Sequence, residues 1–145
     1  MILNITSLVL YNSVHNIKLG QTTIQVIKSI ELLNKVYNFY KQRKNSSYIV
    51  MEELQLFFIN GNLEFCIIPI WGGSAVNLFD NILNKDTTLF VFEEILLSSK
   101  IGYSAKEIEH NDHFNIKINN TIFIFGFVDQ TYLLNKIQWG YTDFF

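Results

Sequence analysis

The chain has 145 residues, 49% of them hydrophobic, and its 13 acidic and 11 basic side chains leave a net charge of −2. That balance excludes an intrinsically disordered segment, which needs low hydrophobicity and high net charge; a lone cysteine, Cys66, excludes a disulfide scaffold. No apolar run nears the roughly 20 residues a membrane-crossing helix requires, and one domain over residues 1–145 suits the length.

In chain order, residues 2–11 and 14–19 are β-branched and apolar-rich around Asn12-Ser13, and predict two strands. The clearest helical pattern runs from about Thr23 to Arg43. Val26, Ile30, Leu33, Tyr37 and Tyr40 recur at spacings of four and three, with Ile27 and Val36 widening the stripe. Thr22 and Gln25 form a capping pair at its start; Lys41, Arg43 and Lys44 complement the dipole at its end, and Asn45-Ser46-Ser47 stops it. Tyr48–Ile59 and Leu63–Trp71 predict strands joined at Asn60-Gly61-Asn62, where positive φ is available.

Gly72-Gly73-Ser74 closes that unit, Ser74–Asn84 predicts a short helix, and Thr87–Leu97 fits either strand or helix. Ser104–Glu109 predicts one helical turn. His113–Ile118 and Thr121–Val128 predict a hairpin turning at Asn119-Asn120, followed by a short helix near Gln130–Ile137 and a last strand, Gln138–Phe144. The non-alternating runs Phe65–Trp71 and Ile122–Val128 suit central strands buried on both faces. No internal repeat is legible. The expected fold class is α+β: an antiparallel sheet of hairpins, one long amphipathic helix over about 23–43, and one to three short helices packed on it.

No catalytic motif stands out. Glu107, Glu109, His110, Asp112 and His113 form the one metal-like cluster, but a catalytic zinc usually draws three protein ligands, and the remaining histidine, His15, is remote in sequence. A solvated loop accounts for the same residues. Cys66, between Phe65 and Ile67, lacks a neighbouring cation to activate it and reads as core. The Gly72-Gly73-Ser74 turn lacks the lysine of a phosphate-binding loop. Glu52-Glu53 and Glu93-Glu94 are each adjacent pairs, which a strand would point to opposite faces. No cofactor is expected.

The small net charge hides a polarity: residues 1–50 hold six basic and one acidic side chain, residues 51–145 five and twelve. Lys28, Lys35, Lys41, Arg43 and Lys44 make a thin footprint for nucleic acid, which calls for clustered arginine and lysine. The acidic remainder suits docking on a basic protein, with Glu52, Glu53, Glu93, Glu94, Glu107, Glu109 and Asp112 supplying charge, and Trp139 and Tyr141 offering anchors. Phe, Tyr, Met, Ile, Asn and Lys supply 68 residues against 11 from Gly, Ala, Arg and Pro, which points to an AT-rich gene, common in bacteria, phage and mobile islands. Met1–Ser7 lacks the positive start of an export signal, so the cytoplasm is expected.

Together these features predict a non-enzymatic protein-binding chain, an immunity protein or antitoxin that covers the active site of a basic, nuclease-type toxin. The alternatives are a small metal- or ligand-binding enzyme using the His110/His113 carboxylate cluster, and a structural or assembly subunit, for which sheet edges pairing across a two-fold axis would make a homodimer.

Overall fold

A computed structural model describes residues 2–108 and 112–140. Its architecture is mainly β, which corrects the expected α+β domain built around one long amphipathic helix. The short strand β1 (Leu3–Asn4) leads into helix α1 (Thr6–Tyr11), and helix α2 (Thr23–Leu32) precedes four strands, β2 (Tyr37–Arg43), β3 (Ser46–Met51), β4 (Gln55–Ile59) and β5 (Asn62–Pro69). The hairpin β6 (Val76–Leu78) and β7 (Asn81–Leu83) comes next, then helix α3 (Leu89–Ser98). Four more strands follow, β8 (Ser104–Ile108), β9 (His113–Ile118), β10 (Thr121–Val128) and β11 (Thr131–Trp139). Among the described residues the strands form two sheets: a small one ordered β1-β6-β7, and an antiparallel one ordered β2-β3-β4-β5-β11-β10-β9-β8.

The large sheet is two copies of one arrangement. In each half a threonine-capped, ten-residue helix is followed by a four-stranded meander. Thr22 caps α2 and Thr88 caps α3. Four residues on from each cap, and again after eight, comes a buried apolar residue: Val26 and Ile30 in α2, Phe92 and Leu96 in α3. The segment before each helix is tied to its own last strand by the same hydrogen bond, Leu63 N–H to Gln21 C=O at 2.8 Å and Leu134 N–H to Thr87 C=O at 2.9 Å. The halves meet where β5 pairs antiparallel with β11, from Cys66 opposite Trp139 to Pro69 opposite Lys136. Antiparallel pairing of equivalent strands is what a two-fold relation between halves produces.

The core lies on one face of this sheet. Ile49, Leu56, Cys66, Trp139 and Thr121 occupy one row across five strands, and all are buried. The helices cover that row and its neighbours, Phe92 packing on Phe123 and Phe125 with ring centroids 4.6 and 5.3 Å apart. On the opposite face Tyr40, Tyr48, Phe57 and Phe65 stand in register on four adjacent strands and stack as a ladder at 4.9, 5.8 and 4.6 Å.

Several sequence expectations are corrected. The long amphipathic helix over 23–43 does not exist. α2 stops at Leu32, Asn34 takes a left-handed conformation (φ 56°), and Tyr37–Arg43 is the edge strand β2. The four-and-three spacing misled because β2 points Tyr37 and Tyr40 to opposite faces, Tyr37 opposite Met51 and Tyr40 opposite Tyr48. Lys41 and Arg43 therefore lie on a strand and Lys44 in its turn, away from any helix end. Thr6–Tyr11, expected as strand, is helix, because Ile5, Leu8 and Val9 at spacings of three and one share a buried helical face. The expected helices at Ser74–Asn84, Ser104–Glu109 and Gln130–Ile137 are hairpin β6–β7, strand β8 and strand β11; Thr87–Leu97 resolves to helix from Leu89. The Asn60-Gly61 and Asn119-Asn120 turns stand where the sequence puts them.

Candidate partner-binding surface

The described carboxylates singled out in the sequence fall in three places. Glu93 and Glu94 lie on α3, and Glu107 on the adjoining edge strand β8. On α3 the side chains of Phe90, Glu94 and Leu97 follow one another at spacings of four and three and face solvent, with Phe90 72% and Leu97 75% exposed. Phe90 and Leu97 leave a small apolar area open to solvent on this helix face, as Leu32 and Val36, each 85% exposed, do at and beyond the end of α2. Phe90 and Leu97 border a groove of about 340 Å³ that Glu93, Glu94, Tyr103 and one cation, Lys100, also line.

Two tyrosines hold the carboxylates in place. Tyr103 OH donates to Glu93 Oε2 at 2.9 Å, tying α3 to the segment entering β8; Tyr132 OH donates to Glu107 Oε1 at 3.0 Å, tying β8 to β11 across the sheet. Each phenol is pushed above its ordinary pKa, first by its hydrogen bond to the carboxylate, then by burial and by the carboxylate's charge; Asp112 adds to the charge at Tyr132. A fixed carboxylate loses less side-chain freedom on meeting a cation than a loose one. Asp112 lies at the start of β9, lining a second groove of about 510 Å³ with His113, Phe127 and the exposed Trp71.

Glu52 and Glu53 are elsewhere, as the two loop residues of the β3–β4 hairpin closed by Met51 N–H to Leu54 C=O at 2.8 Å. Glu53 is not free for a partner. Lys35 Nζ stands 2.7 Å and His15 Nε2 3.5 Å from its Oε1, and its side chain is 14% exposed. Burial pushes its pKa up, but the hydrogen bond and charge of Lys35, with its backbone hydrogen bond and His15, hold it below the ordinary value. His15 is in the left-handed region (φ 51°), in a tight turn closed by Val14 and Ile17, which aims the imidazole at the hairpin.

Trp139 is corrected outright: it is 1% exposed, belongs to the core row, and offers no surface anchor. Glu109, His110 and Tyr141 lie outside the described residues. Among the described residues no group of three metal-ligating side chains forms. Cys66 is buried, and burial pushes its thiol well above the ordinary value. Gly72-Gly73-Ser74 leads to strand β6, so the turn opens no helix. No described helix is long and apolar enough to cross a membrane.

Sequence reasoning missed Tyr103, Tyr132, Lys35 and His15 as partners of these carboxylates. The Glu93–Tyr103 pair is ten residues apart and Glu107–Tyr132 twenty-five, so only the fold shows them. Comparison with protein-family models, curated proteins and solved structures finds no match to this chain.

Proposed function

We propose that the chain is a cytoplasmic, non-enzymatic binding protein of the immunity-protein or antitoxin kind, which neutralises a basic, nuclease-type toxin by covering its active site. The observation that supports this reading is the α3–β8 surface. Exposed Phe90 and Leu97 supply apolar area beside Glu93 and Glu94, Glu107 adds charge on the next strand, β8, and tyrosine hydroxyls fix Glu93 and Glu107. Apolar anchors inside a charged surround are the pattern of a protein interface, and the sign of the charge selects a cationic partner. Glu52 and Glu53 contribute less, since Glu53 already answers Lys35.

The test is quantitative capture from the native host with tagged wild type and with the combined Glu93→Lys, Glu94→Lys and Glu107→Lys variant. Wild type is expected to retain a basic protein that the folded variant releases, and that rising salt weakens. Equal retention by both chains sinks the assignment of this surface.

A further inference from the structure

We infer that the free edge of β2 is a strand-addition site for an acidic, extended segment of a partner protein, centred on Tyr40. β2 ends the order of the eight-stranded sheet, so one side of its seven-residue backbone pairs with β3 and, among the described residues, no strand pairs with the other. Every residue from Asn38 to Arg43 is exposed. An incoming strand would find unpaired backbone donors and acceptors along this edge, the source of affinity in strand addition, with side-chain pockets setting specificity.

Two features define the segment that fits. The first is the aromatic ladder. Tyr48, Phe57 and Phe65 have ring neighbours along the row, but Tyr40 ends it, with Tyr48 4.9 Å away on one side and the open edge on the other. An aromatic side chain opposite Tyr40 extends the stack by one ring. The second is charge: Lys41 and Arg43 lie on β2 and Lys44 in the turn beyond, whereas β2 itself, Tyr37–Arg43, carries no acid. A second copy's β2 therefore brings no carboxylate to these cations. A segment with glutamates or aspartates beside its aromatic residue does. Single-stranded nucleic acid fits less well, because the neighbouring edge aromatics Phe39 and Tyr40 point to opposite faces, opposite Ile49 and Tyr48, and so offer no continuous stacking platform. This site is independent of the α3–β8 surface, and each stands if the other fails.

The test titrates the full chain into a fluorescently labelled nine-residue peptide with a central tyrosine and glutamates alternating with valine and threonine. Three controls accompany it: the same peptide with lysine for glutamate, the same with proline flanking the tyrosine, and a labelled single-stranded oligothymidine. Binding of the acidic peptide alone is expected, with hydrogen exchange of the Asn38–Arg43 amides slowed in the complex. The combined Lys41→Glu and Arg43→Glu variant, its fold checked by circular dichroism, is expected to bind about tenfold more weakly; Tyr40→Ala also weakens it. No binding, equal binding of the lysine or proline peptide, unchanged amide exchange, or oligothymidine bound more tightly than peptide would each overturn the inference.

Discussion

Replacing Lys35 with methionine tests the ion pair that joins the α2–β2 connection to the β3–β4 turn. Lys35 Nζ and Glu53 Oε1 are 2.7 Å apart, with the two side chains 25% and 14% exposed. At that separation and an effective dielectric near 20, the attraction is about 6 kcal/mol before desolvation is counted. Desolvation cancels much of it. An exposed pair nets at most about 1 kcal/mol, whereas breaking a fully buried pair costs about 3–5; this partly covered pair sits between, so Lys35→Met should cost about 2 kcal/mol at pH 7. Methionine keeps most of the stem's apolar contact, so the loss reports charge. The pH dependence has a definite sign. Glu53 has a lowered pKa in the folded chain, so its contribution is full above the unfolded carboxylate value of about 4.3 and is lost as pH falls through the lower folded value. Urea unfolding at pH 7 and again near pH 3 should show a difference between wild type and variant that is present at the first and shrinks at the second. Equal stability at pH 7, or an undiminished gap at low pH, would mean that the Lys35–Glu53 pair contributes no net stability.

Gly140→Ala should be more damaging: Gly140 has φ +83°, and an added Cβ would stand 2.6 Å from the Glu64 carbonyl oxygen and 3.0 Å from Leu19. The left-handed strain plus the shift of backbone needed to relieve that contact cost about 3 kcal/mol, read as a lower urea midpoint. Thr121→Val should go the other way, because Thr121 is fully buried and its hydroxyl has no hydrogen-bond partner among the described residues. Removing it should raise stability by about 1 kcal/mol in thermal unfolding. Cys66, buried with a raised pKa, should stay unmodified by a thiol reagent at pH 7 in the native chain and react fully in denaturant.

What was legible in the sequence was mostly local. The Asn60-Gly61 turn, with φ of 53° and 80°, uses residues that tolerate positive φ, so its hairpin could be placed. The Thr22–Gln25 capping box was equally plain, both of its hydrogen bonds being present. The far end of α2 was not, because Leu33, Tyr37 and Tyr40 continue a helical spacing by coincidence while Asn34 turns the chain. The duplication was illegible for a different reason. Its halves share buried positions and hydrogen bonds but few side chains: Val26 answers Phe92, Ile30 answers Leu96, and Lys28 stands where Glu94 does relative to the cap. In the sequence the acidic residues of the candidate surface stand out by charge alone, and Trp139 and Tyr141 by residue type alone. The sequence offered no way to see that Glu53 is engaged by Lys35, or that β11 carries Trp139 inward to the row of Cys66 and Leu56.

Neutralisation through the α3–β8 surface is the proposal that most needs a direct test. Its most direct measurement expresses the captured basic protein in a host cell alone, with the wild-type chain, and with the folded Glu93→Lys, Glu94→Lys, Glu107→Lys variant, and counts colonies. The captured protein is expected to stop growth, the wild-type chain to restore it, and the variant to leave growth arrested. A harmless captured protein, or full rescue by the variant, would contradict the proposal.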